Sequence, residues 1–538
     1  MKAVLLPVVF LFAGTAARGG ALTVSDWADP RGALSRSTAP LALAEGFLDA
    51  QEFDAVSVQR EAWTAAGKNE GANRLRLLEE LYVGNDAGAR QALELIEKKD
   101  PWVNARRTTI EGLMARRGAF KETADDRFVF RTPEADAFLV SYARPALEGA
   151  QARLAEVFPS TGGLPVTIEI YPSVDDYAFA AGVPKEKVFR AGAIATGRFN
   201  RVMVLSPGVP ALGYRWIDAL VHELAHRHIR RVSGGLCPAW LSEGLARYFE
   251  TAWRRPEGFR HTPYARALLT RAALDDGLMP FSRLEAGVGS LESAALADLA
   301  FAQTSDAVNY LIKEFGVEKI AALVAAFRRS SRPDAFGQTL GLTETEVEKA
   351  WRESLADLTE APTGTARGAM GPSLTAGDFD ETSLAGPAAQ EFIRAGDRLL
   401  NQGGAAAAAA QYKKAVEAAP DNGVALTRLA RAHLESERAG AAEDLLKRAV
   451  EMNPDYAAPL VALGEMYYDD GRYEEGQDVL QQALEIRPFY APIHAALGRI
   501  AMDMGYIPAA RQSYRLALRF DPGNKDVRDA LNGMRDRR

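Results

Sequence analysis

The residues able to do chemistry stand close together: His222-Glu223-Leu224-Ala225-His226 and, seventeen residues further on, Glu243. Positions i and i+4 of an α-helix differ by about 40° in direction, so His222 and His226 point the same way, one turn apart. Two neutral imidazoles at that spacing can share one tetrahedral zinc, and Glu223, turned off their axis, can act on a water beside it. Glu243 can reach the same ion as a third ligand if a second helix folds back on the first. The chain provides for that: Gly234-Gly235 tolerates the positive φ that ends a helix, and Pro238 suits the first turn of the next. Three protein ligands with one open position describe a catalytic zinc site, not a closed structural one. The plainer alternative is a buried helix whose histidines are only hydrogen-bonded.

Neighbouring residues bear on the same chemistry. Asp218 lies one turn before His222, and Glu250 lies seven residues past Glu243 on the same helix face. Either carboxylate can orient a liganding imidazole, and either can equally be a solvated charge. His228, two residues past His226, is expected to face away, as a surface histidine. Tyr248, Tyr264, Tyr310 and His261 are candidates for polarising a carbonyl, and spacing does not choose among them. Cys237 is the only cysteine, so no disulfide within the chain is available, and it reads as a small residue of the interhelical turn.

Periodicity and punctuation supply the elements that must hold these groups. An apolar, helix-periodic run predicts a helix over 216–232, and a second follows from Pro238. Ahead of them, 128–130, 165–171 and two segments within 187–207 read as strands, with helices over 135–157 and 175–181. Residues 41–50, 56–66, 72–81, 87–97 and 104–117 fit short amphipathic helices. Helices over 264–275, 305–315, 317–328 and 344–358 follow the metal motif.

At the motif the chain resembles a known family. His222-Glu223-x-x-His226, followed by Trp240-Leu241-x-Glu243-Gly244-Leu245-Ala246, is similar to the peptidase MA-like metallohydrolases, a branch of the gluzincins. Residues 166–172, Ala191-Gly192 and 202–207 resemble the strands before that family's zinc helix. Residues 302–305, 309–312 and Gly316 resemble its later helix. The resemblance spans roughly 125–360. It implies an α+β zincin-like fold, His222, His226 and Glu243 as ligands of one Zn2+ per chain, Glu223 as general base, and a peptide or protein as substrate. Where the family often has an aromatic hydroxyl this chain has Phe301, so no transition-state tyrosine carries over. Substrate backbone pairing along a sheet edge is expected near 191–205.

The C-terminal part is periodic. Pro420, Pro454, Pro488 and Pro522 recur every 34 residues, with small residues at Ala408, Ala442, Gly476 and Ala510 and large ones at Tyr412, Leu446, Leu480 and Tyr514. These units resemble tetratricopeptide repeats, which implies an all-α superhelix able to bind proteins or peptides. The small residues are expected to let paired helices approach, and the large ones to fill the groove of the neighbouring unit.

The remaining chain sets bounds. Its 538 residues, 47% apolar and 25% charged, make several domains, and a net charge of −7 argues against a nucleic-acid partner. Residues 1–21, with Lys2, an apolar core and small residues at Ala17 and Ala21, read as an export signal, which points to a periplasmic or secreted protein of a bacterial envelope. No segment of the mature chain is apolar enough to span a membrane. The expected order is signal 1–21, helical prefix 22–122, metallopeptidase domain 123–360, linker 361–388 and repeats 389–538. Two further readings stand beside an exported peptidase: a catalytically inactive zincin-like scaffold serving envelope assembly through its repeats, and a hydrolase of a non-peptide envelope amide.

Overall fold

The computed structural model describes residues 30, 33–34, 40–49, 53–96, 101–159, 165–186, 188, 194–198, 200–255, 260–288, 291–356, 380–436 and 439–534. The expected signal and most of the expected linker therefore lie outside the described residues. Two compact units divide the chain: Met1–Ser206 with Ile217–Arg260 and Leu268–Glu360, and Pro207–Trp216 with His261–Ala267 and Ala361–Arg538. Among the described residues no helix is long and apolar enough to cross a membrane.

The first unit begins with helices α1 (Pro40–Asp49), α2 (Phe53–Ala65), α3 (Asn69–Tyr82), α4 (Asp86–Glu94) and α5 (Pro101–Arg117). They close on leucines and aromatics such as Phe47, Leu75, Leu78 and Tyr82. A five-stranded mixed sheet follows: β1 (Lys121–Ala124), β2 (Phe128–Thr132), β3 (Val166–Tyr171), β4 (Ala195–Arg198) and β5 (Arg201–Leu205), in the order β1-β2-β3-β5-β4. β2, β3 and β5 run parallel, and antiparallel β1 and β4 form the two edges. Every residue of β3 and β5 is buried, as their near-continuous apolar runs require. β1 was not predicted, because all four of its residues are exposed and only pairing with β2 holds it.

One polar cluster lies within this otherwise apolar layer. Glu169 of β3 is fully buried, with Arg117 Nη1 at 2.9 Å, Arg131 Nη1 at 3.4 Å and the Tyr171 hydroxyl donating at 2.7 Å. Arg117 and Arg201 also reach Asp86, at 2.7 and 3.0 Å. A carboxylate withdrawn from water survives only with such partners, so this cluster ties α4 and α5 to the sheet by charge as well as by packing.

Past β3 and α7 (Val174–Ala181), the metal motif opens on α8 (Trp216–Ser233), and α9 (Ala239–Ala252) follows it. Gly234 and Gly235 take positive φ of 65° and 76°, and Pro238 caps α9, as their types predict. The stretch predicted as one helix from 135 starts as a 3-10 turn, Glu134–Leu139, before α6 (Val140–Val157). Beyond α9 come α10 (Pro263–Leu274), α11 (Phe281–Leu284), α12 (Ala294–Phe315), α13 (Val317–Ala326), α14 (Arg332–Leu340) and α15 (Glu344–Ser354). α12 starts well before the expected 305. Thr304 and Ser305 donate their hydroxyls to the carbonyls of Ala300 and Phe301 inside the helix. α9 lies so close to α12 that a Cβ on Gly244 would overlap the Thr304 carbonyl oxygen and the Val308 side chain. Trp240 stacks on Phe281 at 3.9 Å and donates its indole N–H to Glu344 at 2.6 Å. These contacts set the position of α9, and with it that of Glu243.

The second unit is built of helix pairs: α16 (Pro387–Asn401) with α17 (Ala405–Ala418), α18 (Gly423–Leu434) with α19 (Ala439–Met452), α20 (Ala457–Asp469) with α21 (Tyr473–Leu484), and α22 (Ala491–Asp503) with α23 (Ile507–Phe520), followed by α24 (Lys525–Gly533). Added Cβ atoms on Gly396, Gly464 and Gly498 would run into Tyr412, Leu480 and Tyr514 respectively. Tyr412, Leu480 and Tyr514 thus each meet the glycine of their own unit, while Leu446 clusters with Ala430 of its own unit and with Ala462, Leu463 and Met466 of the following one. Residues 207–216 belong to this unit too. Arg215 reaches Asp455 at 3.1 Å and donates to the Pro454 carbonyl at 2.7 Å, and the Trp216 indole donates to the Leu484 carbonyl. Leu212 packs among Ile393, Val424 and Leu429.

Candidate metal centre

α8 presents His222, Glu223 and His226, and α9 presents Ser242, Glu243, Arg247 and Glu250. The Nε2 atoms of the two histidines lie 3.1 Å apart, with the rings at 79° to each other. Glu243 Oε2 is 3.6 Å from His222 Nε2 and 3.5 Å from His226 Nε2. The ligand atoms of all three residues fall within 4.8 Å of one another, and among the described residues they form the group of histidine, cysteine and carboxylate side chains able to hold a metal ion. Two imidazole nitrogens and one carboxylate oxygen make a donor set that suits zinc and leaves coordination open.

The outer nitrogens are engaged. His226 Nδ1 lies 2.9 Å from the Ser242 hydroxyl, and His222 Nδ1 lies 3.3 Å from Glu250 Oε2. Arg247 Nη1 stands 2.9 Å from Glu250 Oε1. Both Nε2 atoms are therefore left facing Glu243. Burial disfavours a charged His222 ring, yet its hydrogen bonds to Glu243 and Glu250 outweigh that and push its pKa up to about 10. Burial would raise the Glu243 carboxyl, but His226 and His222 hold it well below the usual carboxylate range.

Several neighbours differ from expectation. Asp218 is not turned to His222; both its oxygens accept from Arg254, at 2.6 and 2.8 Å. Glu250 is 5% exposed rather than a solvated charge. His228 is buried rather than on the surface: its Nδ1 lies 3.1 Å from the Leu224 carbonyl oxygen, and burial lowers its pKa to about 4. Tyr248 is buried edge-on against Phe249, and Tyr264 and His261 fall in the second unit. The Arg247 guanidinium stands 5.6 Å from the Phe301 ring, the position where an aromatic hydroxyl was not available. Ser242 and Arg247 were missed in the sequence. The signal was present, since Arg247 and Glu250 follow Glu243 at i+4 and i+7 on one helix face.

Glu223 is set beside the sheet. A Cβ on Gly197 of the edge strand β4 would stand 3.0 Å from Glu223 Oε2. A side chain at this position would press on the carboxylate, which would have to shift slightly to make room.

The family model of the Peptidase MA superfamily matches residues 146–357, and two tetratricopeptide-repeat models match 399–464 and 461–525. No curated protein matches the chain. Among solved structures, PilF of Pseudomonas aeruginosa is similar at 22% identity and a TM-score of 0.27, over 27% of this chain and 67% of that one. MamA of Desulfovibrio magneticus RS-1 is similar at 16% identity and a TM-score of 0.26, over 28% of this chain and 86% of that one. Likeness at that level carries nothing about activity.

Proposed function

We propose, from the Peptidase MA superfamily domain and the tetratricopeptide repeats that this chain carries, that it is an exported zinc-dependent metallohydrolase acting as a peptidase. The observation that supports this reading is the convergence of His222, His226 and Glu243 beside Glu223. In it, His222 Nε2, His226 Nε2 and a Glu243 oxygen hold one zinc per chain. Zinc, when bound, supplies a Lewis acid and lowers the pKa of water towards neutrality. Glu223 takes the proton of the attacking water and returns it to the leaving amine. β4 is an edge strand whose outer backbone groups can pair with an extended peptide, and Gly197 would bring that peptide past Glu223. The repeats would bind a protein or peptide partner.

Metal content by mass spectrometry, wild type beside Glu243→Ala, tests the centre. Each protein is then offered unfolded casein with and without chelator. About one zinc per wild-type chain, lost in the variant, with cleavage abolished by chelator, is the expected result. Metal-replete wild type that binds no zinc would overturn the enzyme reading and leave the repeats as the functional part, the inactive-scaffold alternative. Zinc without cleavage of casein or of any other unfolded protein would favour a non-peptide amide as substrate. Export is tested by mapping the N-terminus of the chain from fractionated cells. Processing after Ala17 or Ala21 is expected, and an intact Met1 on cytosolic protein would remove export from the proposal.

A further inference from the structure

We infer that the repeat array binds a segment of its own chain, residues 207–216, and through it holds the start of helix α8. That α8 serves a metal rests on the function proposed above; the hold itself does not. The segment groups with the repeats, yet the chain leaves it in both directions for the first unit. β5 ends at Leu205 just before it, and α8 begins on its last residue, Trp216. Residues 207–215 form neither helix nor strand, so contacts with the array, not regular backbone pairing, give the segment its course.

A helix leaves its last carbonyls without partners of its own. At the end of α21 the segment supplies them. The Trp216 indole donates to the Leu484 carbonyl at 3.2 Å, the Trp216 backbone N–H to that of Glu485 at 3.2 Å, and the Tyr214 N–H to that of Ile486 at 3.0 Å. Arg215 adds charge: it lies 3.1 Å from Asp455 and 3.5 Å from Glu485, and donates to the Pro454 carbonyl at 2.7 Å. One guanidinium thus joins the turn after α19 to the turn after α21. Gly213 takes φ of 69°, and a Cβ there would overlap the Ile486 carbonyl oxygen, so the backbones meet as closely as only glycine allows. Carbonyls, acids and a close backbone approach are all met by one short segment, which incidental packing would not achieve. Trp216 is both the last residue held and the first of α8, six positions before His222. A helix is stiff over that length, so fixing Trp216 fixes the direction in which α8 sets out.

Hydrogen exchange on the full-length, metal-free chain tests this, wild type beside Arg215→Ala, Trp216→Phe and Asp455→Asn. Asp455→Asn is the decisive variant, because it alters the array alone, 240 positions from Arg215. Amides from the segment into the first turns of α8 are expected to exchange about tenfold faster in Arg215→Ala, and roughly several-fold faster in the other two. β3 and β5 should exchange as in wild type. Arg215→Ala combined with Asp455→Asn should exchange no faster than Arg215→Ala alone, since both remove one contact. Wild-type exchange in α8 in every variant would overturn the inference, as would acceleration spread evenly over helices and sheet, the mark of general destabilisation. Zinc affinity of the same proteins, by competition with a chelator, reads the metal centre separately. Weaker binding in Asp455→Asn is expected. Wild type that binds no zinc, with the exchange result intact, would overturn the metal centre and leave the hold on α8 standing.

Discussion

Glu223→Gln is expected to retain its zinc and to lose turnover by about 10²–10⁴-fold, the range that general acid–base groups contribute. Glutamine keeps the volume of the side chain and its place against Gly197. It cannot take up and return a proton. The ligands His222, His226 and Glu243 are untouched, so metal content separates loss of the base from loss of the site. Zinc analysis and cleavage rates on the same preparation check this. A variant that still turns over within a few-fold of wild type would remove Glu223 from the reaction and, with it, the proposed course of proton transfer.

Glu169→Ala is expected to destabilise the first unit by about 3–5 kcal/mol, the cost of breaking a buried ion pair by removing one partner. The carboxylate is fully buried against Arg117, Arg131 and Arg201, and its loss leaves Arg117 and Arg201 with Asp86 and Arg131 chiefly with Glu122. Burial alone would raise its pKa, but the arginines, Arg201 foremost, and the Tyr171 hydroxyl together hold it below the ordinary carboxylate value. The unfolded chain therefore binds this proton more readily than the folded one. The stability Glu169 contributes is complete above the ordinary carboxylate range and is lost as the pH falls through the lowered value. Unfolding midpoints of both proteins at neutral and acid pH should converge towards acid. A gap that stays constant with pH would contradict the linkage, and no gap at all would contradict the role.

Much of the candidate site was legible in the residues because its parts are local. The separation of His222 and His226 is a property of the helix, and the glycine pair and Pro238 close one helix and open the next through their own φ preferences. The repeats were legible for a similar reason: each unit restates the same helix pair, with Pro420, Pro454, Pro488 and Pro522 at a spacing of 34. Strand β1 was not, because pairing rather than side chains makes it; helix α14 was missed although Ser331 caps its start, a proline stands in its first turn and Gly341 ends it at positive φ.

What the sequence determined by itself was the set of elements and the chemistry they carry: a two-histidine helix, a following helix with its glutamate, and a 34-residue repeat. Tertiary structure alone decided which groups serve which. Helical spacing puts Asp218 a turn from His222 and Glu250 two turns from Glu243, and the choice between them as the partner of His222 falls to the packing of α9 against α12 at Gly244 and to Arg254 taking Asp218. Asp86, Arg117, Arg131, Glu169 and Arg201 come from five different elements, and no periodicity relates them. The physical reason is common to both cases. Backbone geometry fixes what lies within a turn or two, whereas partners across elements are chosen by close packing and by the need to satisfy charge once water has been removed.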